Sequence, residues 1–355
     1  MISISQQLNG TQLPWDVTKE PNPCLWQGVA CSRSNNSSIT SLSLSGFGLS
    51  NSDFLSEVCR IDSLQSLNLS INNLKSISDG FFNGCGGIDG LKVLDFSRNR
   101  LLSQLVSLKI LSLSANEFSG SVPIELGESF VLEQLQLSKN MFHGEIPLEL
   151  LKYKNLIVID LSGNNLTGSI PESIGNLSKL QFLVLSSNKL SGKIPKSISS
   201  ISTLQRFAAN QNNFVAEVPA LITRYIKILD LSYNNLSGLI PSDLLSQPSL
   251  QHVDLSVNLL NGTIPESVSS RSLVRLRLGS NSLSGSITAK LATLQNLVYL
   301  ELENNNFFGS IPPELGACQN LLLLNLAQNN ITGTLPVQLG NLTKLQVQFH
   351  LQFQI

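Results

Sequence analysis

The chain repeats itself with a fixed period. Aligned on L-x-x-L-x-L-x-x-N, its asparagines fall at Asn72, Asn99, Asn116, Asn140, Asn164, Asn188, Asn212, Asn234, Asn258, Asn281, Asn305 and Asn329, and eight of the eleven gaps are 23 or 24 residues. A period of this length marks a stack of one supersecondary unit, each turn resting on its neighbours. With a weaker first turn at Ile39, Leu42 and Leu44, where Phe47 stands in for the asparagine, the count is about thirteen repeats.

Each position has a physical task. In x-L-x-L the residues alternate, so Leu183 and Leu185 point to the core side of a short strand while Val184 points away. One repeat cannot bury its leucines alone; stacked repeats can, at roughly 1.5 to 3 kcal/mol per fully buried side chain. Asparagine recurs where the chain turns sharply after the strand, because its amide donates and accepts and can satisfy buried backbone groups. The glycine of L-S/T-G-x-I-P, at Gly120, Gly144, Gly168, Gly192, Gly238, Gly262, Gly285, Gly309 and Gly333, suits a positive φ or a close backbone approach. The expected product is an α/β solenoid with a concave parallel β-sheet, about 60 Å long at ~4.8 Å per strand.

Composition narrows the partners. With 23 Lys and Arg against 24 Asp and Glu, the net charge of -1 offers no electrostatic footprint for nucleic acid. Met1 to Gln12 lacks the basic head and apolar run of a secretory signal, and no window reads as a membrane helix, so no membrane contact is expected within this chain. No catalytic motif stands out: there is no G-x-S-x-G or H-E-x-x-H, and Gly84 to Gly90 does not match a phosphate loop. His143, His252 and His350 are scattered and no C-x-x-C occurs, so neither metal nor cofactor is expected.

The full motif, L-x-x-L-x-L-x-x-N-x-L-S/T-G-x-I-P, resembles the plant-specific leucine-rich repeat of receptor-like kinases and receptor-like proteins. Trp15, followed by Pro23-Cys24-Leu25-Trp26-Gln27-Gly28-Val29-Ala30-Cys31, is similar to the cap of those families. The resemblance covers Trp15 to Lys344 and implies a cap over 1–37, a leucine-rich-repeat superhelix over 38–344 and an irregular tail over 345–355. It implies ligand perception at a plasma membrane, with a peptide or protein ligand and a co-receptor kinase ectodomain as partners. The family's kinase is absent from this chain, so no enzymatic activity is assigned to it. Two departures stand out: only 17 residues separate Asn99 from Asn116, and the leucines give way after Leu345.

Within the cap motif Cys24 and Cys31 are expected to form a disulfide in an oxidising compartment, the alternative being two buried thiols. Cys59 and Cys85 occupy similar convex positions one repeat apart and form a second candidate pair. Cys318 reads as a small buried hydrophobe with a free thiol. Glycan is expected at N-x-S/T sequons including Asn36, Asn68, Asn165, Asn176, Asn235, Asn261, Asn330 and Asn341, several of which the repeat consensus generates by itself.

Recognition is expected on the outward strand positions. Their middle column reads Ser112, Gln136, Asp160, Val184, Ala208, Asp230, Asp254, Arg277, Glu301 and Asn325; beside it stand Phe182, Arg206, Tyr233, His252, Arg275 and Tyr299. From these, Phe182, Val184, Arg206, Tyr233, His252, Arg275, Arg277, Tyr299 and Glu301 are the candidate ligand contacts. Arg275-Leu276-Arg277 resembles the element with which some peptide-hormone receptor kinases hold a carboxylate; opposite charges on adjacent strands, Asp254 and Glu301, offer a purely structural use of Arg277. An alternative to the receptor is a secreted protein similar to polygalacturonase inhibitors, and a third reading is a defective fragment without a ligand.

Overall fold

The computed structural model describes residues 1–8, 13–32, 38–74, 93–95, 109–115, 119–122 and 131–346. They fall into two compact units, Met1–Asn165 and Leu166–Ile355. Asn36, Cys85, Asn99 and Asn116, with most of the short repeat and of the expected tail, lie outside the described residues.

In the first unit Val29–Cys31 pairs antiparallel with Ile39–Ser43, and parallel strands follow at Ser66–Asn68, Val93–Asp95, Ile110–Ser112, Gln134–Gln136 and Val158–Asp160. The cap closes the open end of this stack. Cys24 and Cys31 are bridged, with Cα atoms 5.7 Å apart, and the Trp15 and Trp26 rings lie 5.0 Å apart over the turn. Both indole N–H groups are satisfied, donating to the Gln27 and Glu20 carbonyls. Gly28 of the cap motif has φ 83°, and a Cβ there would stand 2.1 Å from the Ser43 carbonyl oxygen. No other residue fits without moving the strand. Cys59 is also disulfide-bonded, whereas the described Cys318 is free and buried.

In the second unit seven strands, Phe182–Val184, Arg206–Ala208, Ile228–Asp230, His252–Asp254, Arg275–Arg277, Tyr299–Glu301 and Leu323–Asn325, pair in parallel without a register shift. Their middle residues, Leu183, Phe207, Leu229, Val253, Leu276, Leu300 and Leu324, are all buried. The alternation anticipated these strands. It did not anticipate the second parallel sheet of this unit, in which Ser191–Gly192, Asn213–Ala216, Asn235–Leu239, Leu259–Gly262, Ser282–Ser286, Asn306–Gly309 and Asn330–Ile331 are paired. The segment around the L-S/T-G of the repeat builds it, and its glycines Gly192, Gly238, Gly262, Gly285 and Gly309 hold φ between 74° and 84°.

Several return segments are 3-10 turns of five residues, among them Glu172–Asn176, Lys196–Ser200 and Val337–Asn341. Each of these three follows a proline that ends the incoming segment, and five residues are too few to propagate an α-helix. Backbone pairing continues to Gln346, whose N–H donates to the Leu322 carbonyl at 3.0 Å.

The asparagine ladder satisfies the turns in the way its chemistry predicts. Asn258 donates to the carbonyls of Leu231, Leu255 and Ser256 at 3.0, 3.1 and 3.3 Å, and its Oδ1 accepts from the Leu236 N–H at 3.0 Å. Asn305 repeats the arrangement two repeats on, with Leu278, Leu302, Glu303 and Leu283. The residue before each ladder asparagine bears the strain of the turn: Tyr233, Val257, Ser280 and Asn304 have φ of 54°, 56°, 54° and 54°. A β-branched side chain is poorly suited to that region. Val257→Asn, which puts a tolerant residue where Asn304 already serves, is therefore expected to raise stability by about 1 kcal/mol, read as an increased urea midpoint. A lower midpoint would show that Val257 contributes more by packing than it costs in strain.

Candidate functional site: a charged and aromatic strand face

The parallel register of the second unit sets its outward side chains in columns. One column runs Phe182, Arg206, Ile228, His252, Arg275, Tyr299; the other runs Val184, Ala208, Asp230, Asp254, Arg277, Glu301. Phe182 and Arg206 are exposed, while Val184, His252, Arg275, Arg277, Tyr299 and Glu301 are half-buried. Ala208 departs from expectation: only 2% of it is accessible. Its methyl group is too short to rise above its neighbours in the column. Tyr233 is not in a strand but follows Asp230 by three residues, and its left-handed backbone leaves the ring 54% exposed.

Charge organises this face. Arg277 donates through Nε to Glu301 at 2.7 Å and through Nη1 to Asp254 at 3.4 Å, so both lateral carboxylates engage it. These bonds, the Glu301 one foremost, raise its pKa. Arg275 behaves differently: its guanidinium lies over the Tyr299 ring, 4.5 Å from the centroid. Its Nε is buried without a hydrogen-bond partner. The two arginines of the R-x-R element thus share a face but not a role, which spacing alone does not reveal.

The acids are also unequal. Asp230 and Asp254 each accept from the N–H and hydroxyl of the serine two residues on, Ser232 and Ser256. Burial, then repulsion from Asp254, raises the Asp230 pKa against those serine bonds. His252 is held below its usual pKa by burial first, then by the charges of Arg275 and Arg206.

Glu303, two residues beyond the strand and absent from the sequence-derived candidates, has an Oε2 buried without a partner. Its signal in the sequence was only a charged residue where Ser232 and Ser256 occupy the equivalent positions. Burial raises its pKa, with Glu301 adding to the effect. An acid whose pKa is higher folded than unfolded stabilises the fold below its unfolded pKa, and this contribution is lost as pH rises through the folded value. Glu303→Gln is accordingly expected to raise the urea midpoint at pH 7, with the gain fading below about pH 4. A gain that persists unchanged at acidic pH would assign it to shape rather than charge.

Of the sequons within the described residues, Asn165, Asn176, Asn235, Asn261, Asn330 and Asn341 are exposed, and Asn68 is half-buried on its strand.

The fold and this face together define a parallel leucine-rich-repeat solenoid. The Leucine Rich Repeat family pattern matches residues 107–129, 155–177, 179–201, 225–246, 249–270, 296–318 and 320–342. A plant peptide hormone receptor, RGFR1, solved in complex with RGF2, superposes with a TM-score of 0.75 at 31% identity, over 91% of this chain and 55% of the receptor chain. The leucine-rich-repeat protein LIC12759 of Leptospira interrogans superposes with a TM-score of 0.70 at 30% identity, over 83% of this chain and 74% of that one. In sequence, Receptor-like protein kinase 5 of Arabidopsis thaliana is 31% identical over 125 residues, 34% of this chain. That match spans 12% of the kinase's length. The chain belongs to the leucine-rich-repeat family.

Proposed function

We propose that this chain is the extracellular recognition part of a plant receptor-like kinase or receptor-like protein, and that it takes an extended peptide across the outward face of its second unit. The observation carrying the proposal is the in-register column Phe182, Arg206, His252, Arg275, Tyr299, which mixes aromatic rings and cations on a rigid parallel scaffold. Aromatic and arginine side chains are the anchors that protein interfaces favour, because they combine area with directional polar groups. The likeness to a receptor solved with a peptide hormone supports the same class of ligand. A cell-surface location and a co-receptor ectodomain as second partner belong to the same proposal.

A screen of secreted plant peptides against the purified chain, by isothermal titration calorimetry, tests this reading. Phe182→Ser combined with Tyr233→Ser is expected to abolish binding of any peptide found while leaving the thermal melt unaltered, since both rings are exposed. A bound peptide indifferent to the double substitution would move the recognition surface elsewhere.

A further inference from the structure

We infer that Arg206, His252 and Arg275 form an anion-binding stripe, built to take two acidic groups about four residues apart on an extended peptide laid across the strands. The inference deepens the recognition role proposed above and rests on it. Register places Arg206 beside Ile228, Ile228 beside His252 and His252 beside Arg275. Three strand steps separate the two arginines, roughly 14 Å, which an extended chain covers in about four residues.

The stripe carries charge that the fold does not neutralise. Among the described residues no ion pair reaches Arg206 or Arg275, in contrast to Arg277, whose charge Asp254 and Glu301 take up. Asp230, whose carboxylate interacts electrostatically with Arg206, has one oxygen committed to Ser232. Stacking on Tyr299 fixes the plane of the Arg275 guanidinium, leaving its edge N–H groups as donors in a fork that matches a carboxylate or sulfate. His252 lies between the two cations. The charged and titratable groups around it are Asp230 on one neighbouring strand, Arg275 and Arg277 on the other, Asp254 on its own strand and Arg206 beyond Ile228. Burial first, and then the charges of Arg275 and Arg206, lower the pKa of the imidazole. Two residues further along the strands, Asp230, Asp254 and Glu301 repel a second line of acids, so a ligand has one place for its negative groups.

An anion docked here offsets the arginine field and favours protonation of His252, and that coupling makes the stripe measurable without a known ligand. Sodium sulfate, titrated against sodium chloride at matched ionic strength, is expected to give a saturable shift of the His252 ring resonance in NMR and to raise its pKa. Arg206→Gln and Arg275→Gln should each remove the effect, with urea midpoints kept near the parent value. A missing response, or one that survives in both variants, overturns the stripe. Any peptide found by the screen is expected to lose roughly tenfold in affinity when either of its acids is made an amide, and again in either arginine variant. A peptide that binds the face with equal affinity in all these forms overturns the stripe and leaves the recognition reading intact. If that peptide's binding is instead indifferent to Phe182→Ser with Tyr233→Ser while sulfate still titrates His252, the recognition reading fails, and the peptide part of this inference with it.

Discussion

Asn258→Ala is expected to destabilise the second unit by about 3 kcal/mol, because it strands the buried Leu236 N–H and takes one donor from each of three buried carbonyls. Three carbonyls each lose one of two donors, Leu231 keeping Asn234, Leu255 keeping Asn281 and Ser256 keeping the Tyr233 N–H, and the Leu236 N–H loses its acceptor, in a site only 7% accessible. Asn258→Asp tests the mechanism more sharply. Aspartate keeps the acceptor but turns a negative oxygen toward three carbonyl oxygens, so at pH 7 it should be worse than alanine. The buried carboxyl would have a pKa raised by the fold, so its penalty is absent at low pH and grows as pH rises through that value. Urea midpoints of both variants between pH 4 and 7 measure this. An aspartate variant as stable as the alanine one at neutral pH would refute the donor role of the ladder.

Phe207→Ala is expected to cost still more, about 3 to 5 kcal/mol. Most repeats place leucine at both inward strand positions; this one has Phe207 followed by Ala209, with Phe214 on the second strand of the turn. All three are fully buried. The aromatic volume offsets what alanine leaves out, and a second truncation in the same turn opens a cavity that stiff parallel strands cannot close. Phe207→Leu should cost about 1 kcal/mol, as a smaller volume loss. Equal effects for leucine and alanine would mean that packing at this turn is not limiting.

The two variants act through different parts of the repeat, and both parts were legible in the residues. Leucine alternation named the buried strand positions, the asparagine period named the turns, and the P-C-x-W-x-G-V-x-C run named the Cys24–Cys31 bridge. These features are local: the partners of a ladder asparagine lie in its own turn or the one before, so a pattern in sequence is a pattern in space. The second sheet is local too, yet the glycine of the L-S/T-G segment was read for its backbone freedom and not for the strand around it.

What the sequence by itself determined is the repeat, its core and which strand residues face outward. What only the tertiary structure decided is the state of those outward residues: Ala208 sinks below its column, Arg277 is claimed by two carboxylates, Arg275 stacks on Tyr299, and Glu303 keeps an unpartnered oxygen. The physical reason is that inward positions are set by a periodicity each repeat carries alone. Outward charges choose among neighbours some two dozen residues away in either direction, and side-chain reach, burial and ring geometry select the partner.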